Sequence, residues 1–219
     1  LNNQHQLDPI VFLFSRLVKA LGEVKTTLDA SLHLGVELDN GEMVLGQHRI
    51  TGKETDELSS PIKRMWLNKG LRNIVPTNCH IADDRKYAIE SADLICYPPG
   101  SFYSSLLANL LPEGVGRSIC QNSNPKVYLP NLGTDPEQQG LSLMERVKRL
   151  VSTVLADTDN NGSFSALDYL LLDDSYNYGE LDSELLHSLN VVVIRTPLIT
   201  EKQHKYDERL VARALLSFV

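Results

Sequence analysis

Residues 93–112, DLICYPPGSFYSSLLANLLP, constrain this 219-residue chain more than any other stretch. The apolar run Asp93–Tyr97 suits a buried strand, Pro98-Pro99-Gly100 forces a turn, and Ser101 is a good N-cap for the apolar helix that follows. Strand, small-residue turn and helix in that order make a βα unit. In an open α/β sheet such a turn lies at the carboxyl edge of the strands, where unpaired N–H groups at a helix start attract anions. A phosphate-bearing ligand and a plain βα connection both account for the turn at this point.

The same alternation continues downstream. KVYL (126–129) and DYLLL (168–172) read as buried strands, and Val191–Ile194 as a third. The amphipathic helix Leu141–Leu155, a short helix Leu181–Ser188 and a closing helix Asp207–Phe218 lie between and after them. Strands separated by helices require crossover connections and a mostly parallel sheet. The expected fold is therefore α/β, a Rossmann-like three-layer domain over 1–219, whose ligand loops 98–101, 130–140, 173–179 and 195–200 share one edge. Upstream, Leu32–Leu38 and Met43–Leu45 flank Asp39-Asn40-Gly41, which predicts a β-hairpin insertion near the N-terminus, running on towards Ile50. Ile10–Leu21, apolar on most sides and stopped by Gly22, reads as a buried helix. IKRMWL (62–67) alternates apolar with basic residues and reads as a strand with an exposed face, and Tyr87–Ser91 as the end of a short helix.

Charge excludes some partners. A net charge of −7 with dispersed Lys and Arg disfavours a nucleic-acid surface. No apolar run approaches the roughly 20 residues that a membrane helix needs, and no signal-peptide pattern opens the chain. A cytoplasmic protein with neither nucleic-acid nor membrane partners is expected. The three cysteines, Cys79, Cys96 and Cys120, fit reduced thiols better than a disulfide framework or zinc site. The chain opens on Leu1 rather than methionine, so the natural polypeptide is expected to begin earlier.

Several polar sets bear on chemistry. PNLGTDPEQQG offers Asn131, Thr134, Asp135 and Glu137, suited to reading a sugar or base, while turn chemistry and helix capping explain Thr134 and Asp135 without a ligand. Asp173 and Asp174 follow a strand, where paired carboxylates could hold Mg²⁺ or act as a base, and where loop solvation also explains them. DTDNNGSFSALD (157–168) has EF-hand spacing, which makes Asp157, Asp159, Asn161 and Asp168 candidate calcium ligands. Two features depart from that motif: aspartate stands at its last position, and the residues after it read as a strand. GxSxG, CxxC and HExxH are all missing, and the six histidines are scattered, so neither a serine hydrolase nor a zinc enzyme is supported.

The ordered series ADLI, PPGSFYSSLLANLL, KVYLPNLGTDPEQQG and LDYLLLDD resembles the 2-phospho-L-lactate transferases (CofD-like) and their relatives, the YvcK-like gluconeogenesis factors. Gly100, Ser101, Tyr103, Ser105, Asn109, Leu110, Leu111, Asn131, Thr134 and Pro136 match the motifs of that family. The resemblance implies a nucleotide or nucleotide-linked small molecule as partner. Gly100 and Ser101 would meet phosphate, Tyr103 would pack on a base or sugar beside Ser104 and Asn109, and Asn131, Thr134 and Asp135 would orient the ligand. Asp173 would be a metal or sugar ligand. Transferase members use Mg²⁺ to move a phospholactyl group from a guanosine diphosphate carrier, whereas the other branch is regulatory and looks like a nucleotide-sugar binder. No residue here is assigned a catalytic role, and assembly into a homo-oligomer stays open. Pro98 replaces the family's first glycine of the turn, Asp135 and Glu137 replace Gln and Gly, and the family's N-terminal Gly-rich phosphate loop is not among these residues. The turn motif is nearer to the regulatory branch.

Overall fold

A computed structural model describes residues 8–52, 57–133, 135–138, 140–158, 164–200 and 205–219. The first part of the chain runs α1 (Asp8–Leu17), β1 (His33–Leu38), β2 (Met43–Leu45), α2 (Gln47–Ile50) and β3 (Ile62–Asn68). It continues through α3 (Asp83–Glu90), β4 (Ile95–Tyr97), a π-helical turn Phe102–Leu106 that passes into a 3-10 helix Leu107–Leu110, and α4 (Val115–Gln121). Then come β5 (Lys126–Tyr128), a 3-10 turn Pro136–Gln138, α5 (Leu143–Leu155), β6 (Tyr169–Asp173), α6 (Ser183–Ser188), β7 (Val192–Thr196) and α7 (Glu208–Leu216).

The predicted hairpin forms, with Val36 opposite Val44 and Gly41 at φ 85° closing the turn. A side chain at Gly41 would be strained by that φ, which is why the Asn-Gly pair belongs there. The hairpin stops at Leu45 rather than continuing to Ile50, because Gly46 at φ 97° turns the chain into α2. β3 pairs with the other side of β1 to complete a three-stranded antiparallel sheet of order β2-β1-β3. The expected alternation along IKRMWL is broken. Glu37 pairs with Arg64 and Leu38 with Ile62, so Lys63 is the extra residue of a bulge, and Lys63 and Arg64 are both exposed.

The second sheet is parallel, with order β4-β5-β6-β7. Its strands are apolar on both faces because both faces are covered. Leu170 and Leu172 join the larger core with Tyr128, Val147, Leu150 and Val154. Leu171 faces the other way, with Val127, Leu129 and Leu198, against Val211, Ala214 and Leu215 of α7. Helices on both sides of the sheet make the three layers of the expected α/β fold. The larger core also takes in Val36, Leu38 and Ile62 of the antiparallel sheet.

α5 is held in place at both of its levels. Ser142 caps it in a reciprocal capping box with Glu145. Val147, Leu150 and Val154 are 0% exposed, each contributing about 2 kcal/mol through burial. α4 crosses it so closely at Gly116 that a Cβ there would lie 2.2 Å from the Val154 carbonyl oxygen.

The expectation of a buried N-terminal helix is corrected. α1 forms, but Ile10, Phe12, Leu13, Phe14 and Leu17 are 62–77% exposed. Ile10, Leu13, Phe14 and Leu17 share one helix face at i, i+3, i+4 and i+7, and that face is left uncovered among the described residues. None of the helices among the described residues is long and apolar enough to cross a membrane.

Candidate functional site

Parallel pairing of β4 and β5, with Tyr97 opposite Tyr128, sets the turn after β4 beside the loop after β5. The link between them is Asn131, which accepts from the Gly100 N–H at 2.7 Å and donates to the Gly100 carbonyl at 2.6 Å. The side-chain amide thus takes the place of a strand's peptide group and fixes the shape of the turn.

The N–H groups that follow this turn already face anions, and those anions belong to the protein. Phe102 N–H donates to Asp135 Oδ2 at 2.9 Å. Tyr103 and Ser104 N–H donate to Glu137 Oε2 at 3.0 and 2.8 Å, and the Ser104 hydroxyl donates to Glu137 Oε1 at 2.5 Å. Two sequence expectations are corrected here: the segment is a π-helical turn and 3-10 helix, and the Ser101 side chain makes no capping bond. The carboxylates do the capping from a loop more than 30 residues downstream, satisfying N–H groups that a π-helical start leaves open. Glu137 is 2% exposed, and burial pushes its pKa up, although the Ser104 hydroxyl and backbone N–H groups pull the other way.

Tyr103 does not offer a ring at this edge. It is 2% exposed within the core, with the Arg149 guanidinium 5.7 Å from its ring centre. Ser104 is buried as well. Asn109 accepts from the Thr27 hydroxyl at 2.6 Å and donates to the Ser105 carbonyl at 2.7 Å. Thr134 lies outside the described residues.

Asp173 is 1% exposed and is a hub rather than an open ligand. Its Oδ1 accepts from Ser175 N–H, the Ser175 hydroxyl and Tyr176 N–H, and its Oδ2 accepts from Leu198 and Ile199 N–H. Burial acts to raise its pKa, but these donors outweigh it and hold the carboxyl below the usual aspartate value. Asp174, its neighbour, is exposed. Sequence reasoning missed the tyrosines that lace the loops together. Tyr176 OH accepts from Gly133 N–H, Tyr178 OH accepts from Asp173 N–H, and Tyr206 OH donates to the Pro130 carbonyl. For Tyr176 and Tyr178 the sequence signal was the aromatic pair in SYNYG just after a strand, and Tyr206 carried no such signal.

The EF-hand reading meets two structural differences. β6 follows Asp168 directly, where a helix–loop–helix site needs an exit helix. Asp157 Oδ2 accepts from Gly114 and Arg117 N–H at the start of α4, and Asp168 accepts from Lys126 N–H and the Ser165 hydroxyl. Asp159 and Asn161 lie outside the described residues, and among the described residues no group of three or more His, Cys, Asp or Glu is placed to hold a metal ion. Asp157→Ala is expected to cost about 1 kcal/mol, the value of a helix cap. Urea unfolding should give the same loss in millimolar Ca²⁺ and in chelator, and a loss seen only with Ca²⁺ would restore the calcium loop.

A cleft of about 450 Å³ opens beside the turn. Ile95, Leu106, Leu110 and Ile119 give it an apolar floor, and Gly100 and Asn109 lie on its wall. β4 is the edge strand on this side of the sheet among the described residues.

A family model described as 2-phospho-L-lactate transferase CofD matches residues 2–207. The gluconeogenesis factor of Bacillus subtilis (strain 168) is 27% identical over 216 residues, covering 94% of this chain and 64% of that protein. The gluconeogenesis factor of Listeria innocua is 31% identical over 132 residues, covering 60% of this chain and 37% of that protein. This chain thus spans less than two thirds of the length of these curated relatives. Among solved structures, a UPF0052-family protein from Bacillus halodurans has the same fold, with a TM-score of 0.73 at 22% identity, over 94% of this chain and 65% of that one.

Proposed function

This chain belongs to the CofD family, and from that premise we propose that it binds a nucleotide-linked small molecule at the carboxyl edge of β4 and acts as a regulatory sensor. The commitment of the edge carboxylates carries this reading. Asp135, Glu137 and Asp173 are each bonded to backbone N–H groups, and Asp174 alone of the paired aspartates is exposed. A phosphate-transfer site that relies on Mg²⁺ needs free oxygen ligands converging on the ion. These residues do not fit that need. The resemblance to gluconeogenesis factors points the same way. The apolar floor of the β4 cleft suits a base or sugar face, and Thr27, Ser105 and Asn109 in its lining supply polar side chains.

GDP, UDP and a UDP-sugar are the probes that test this. At least one is expected to raise the melting temperature and to bind by calorimetry, with no product released over hours with Mg²⁺ and a phospholactyl donor. Steady formation of a phosphate-linked product would overturn the sensor reading. Failure of every nucleotide to bind would overturn the ligand class.

A further inference from the structure

A second cavity, also about 450 Å³, shares only Leu110 with the β4 cleft. It is lined by Lys63, Arg64 and Arg149 over an apolar floor that includes Met65 and Leu107. Consecutive residues of a regular strand point to opposite faces, so Lys63 and Arg64 could not both line one cavity in an unbroken β3. The bulge opposite Glu37 and Leu38 removes that restriction. Both cations reach the same carboxylate: Lys63 Nζ lies 2.9 Å from Glu37 Oε1 and Arg64 Nε 2.5 Å from Glu37 Oε2. Arg64 is braced further by the Trp66 ring, 5.6 Å away, and its terminal nitrogens make no hydrogen bond among the described residues. Arg149 reaches in from α5 across the Tyr103 ring and donates to the Ile62 carbonyl at 2.8 Å.

The charges are unevenly distributed: Glu113 and Asp157 also line a neighbouring cavity with His80 and Arg117, whereas Lys63, Arg64 and Arg149 do not. Three cations line the cavity, and the carboxylate that holds two of them, Glu37, is outside its lining. The acidic residues that do line it are engaged elsewhere: Glu113 with His80 at 3.0 Å, and Asp157 with the N–H groups of α4. Glu37, Glu113 and Asp157 together match the three cations in formal charge, so what favours a phosphate monoester is the arrangement of donors, the terminal nitrogens of Arg64 above all, and not an excess of charge. Arginine terminal nitrogens are suited to paired phosphate oxygens.

We propose that this cavity is a second ligand site, taking the phosphate of a small phosphate monoester at Lys63, Arg64 and Arg149 and its carbon skeleton against Met65 and Leu107. The site is independent of the nucleotide reading of the β4 cleft. Calorimetry at low ionic strength with inorganic phosphate and with glycerol 3-phosphate tests it. Glycerol 3-phosphate is expected to bind more tightly than inorganic phosphate. The double variant Lys63→Gln/Arg64→Gln is expected to weaken glycerol 3-phosphate binding at least tenfold, while Lys69→Gln, which removes an exposed charge just beyond the same strand and outside the cavity, leaves it unchanged. Matching far-ultraviolet circular dichroism for all three proteins establishes that the fold persists. Absence of binding by the wild type at millimolar ligand, equal binding by the double variant, or an equal loss in Lys69→Gln would each overturn the proposal.

Discussion

Asp173→Ala is expected to lower the unfolding free energy by about 4 kcal/mol. The carboxylate collects donors from two loops, Ser175 and Tyr176 after β6 and Leu198 and Ile199 after β7. Truncation leaves those buried donors unpaired, at about 1–3 kcal/mol each before relaxation and hydration recover part of the loss. Asp173→Asn should also destabilise, by about 2 kcal/mol, because its NH₂ group would face N–H groups where an acceptor is needed. Urea unfolding at neutral pH measures both. A loss below 1 kcal/mol for the alanine variant would mean that water replaces the carboxylate without penalty. The wild type should also lose this contribution in acid. The unfolded aspartate has the ordinary value of 3.8 and the folded one lies lower, so the stabilisation is complete above 3.8 and disappears as the pH falls through the folded value.

Glu137→Ala is expected to cost about 3 kcal/mol, with the opposite pH signature in its conservative partner Glu137→Gln. Alanine strips the buried acceptor from Tyr103 N–H, Ser104 N–H and the Ser104 hydroxyl at the start of the π-helical turn. Burial holds the folded pKa of Glu137 above its ordinary 4.5, so the folded chain binds the proton more tightly than the unfolded one. Its contribution is therefore greatest below 4.5 and is lost as the pH rises through the folded value. Glutamine does not titrate, so the stability gap between wild type and Glu137→Gln should narrow as the pH is raised from 4 to 7. A gap that widens would mean that the N–H donors, and not burial, set the charge of this carboxylate.

Much of the fold was legible from local signals. The Asn40-Gly41 turn between extended runs predicted the β1–β2 pairing, and the apolar runs ending at Tyr97, Leu129 and Leu172 predicted strands of a parallel sheet. Turn chemistry and hydrophobic periodicity act over a few residues, so one sequence is enough to read them. Gly46 was a harder case, because a glycine between two strand-like runs does not by itself say that the hairpin ends there.

The site was less legible for the same physical reason. The residues 98–104 announce a turn with open N–H groups, and that much follows from two prolines, a glycine and the helix after them. Which anion meets those groups depends on a loop that only the parallel pairing of β4 with β5 brings alongside. Asp135 and Glu137 stand where the family pattern has Gln and Gly, and in the sequence they looked like ligand contacts. In the fold they satisfy the turn themselves. Likewise Lys63 and Arg64 read as alternating neighbours until a bulge, set by register against β1, placed both on one cavity. Sequence by itself determined the elements and the place of the turn, since those follow from short-range sterics and hydrophobic spacing. Tertiary structure alone decided which charges meet, because Coulombic and hydrogen-bond partners are chosen by distance in space, and pairing and packing set that distance.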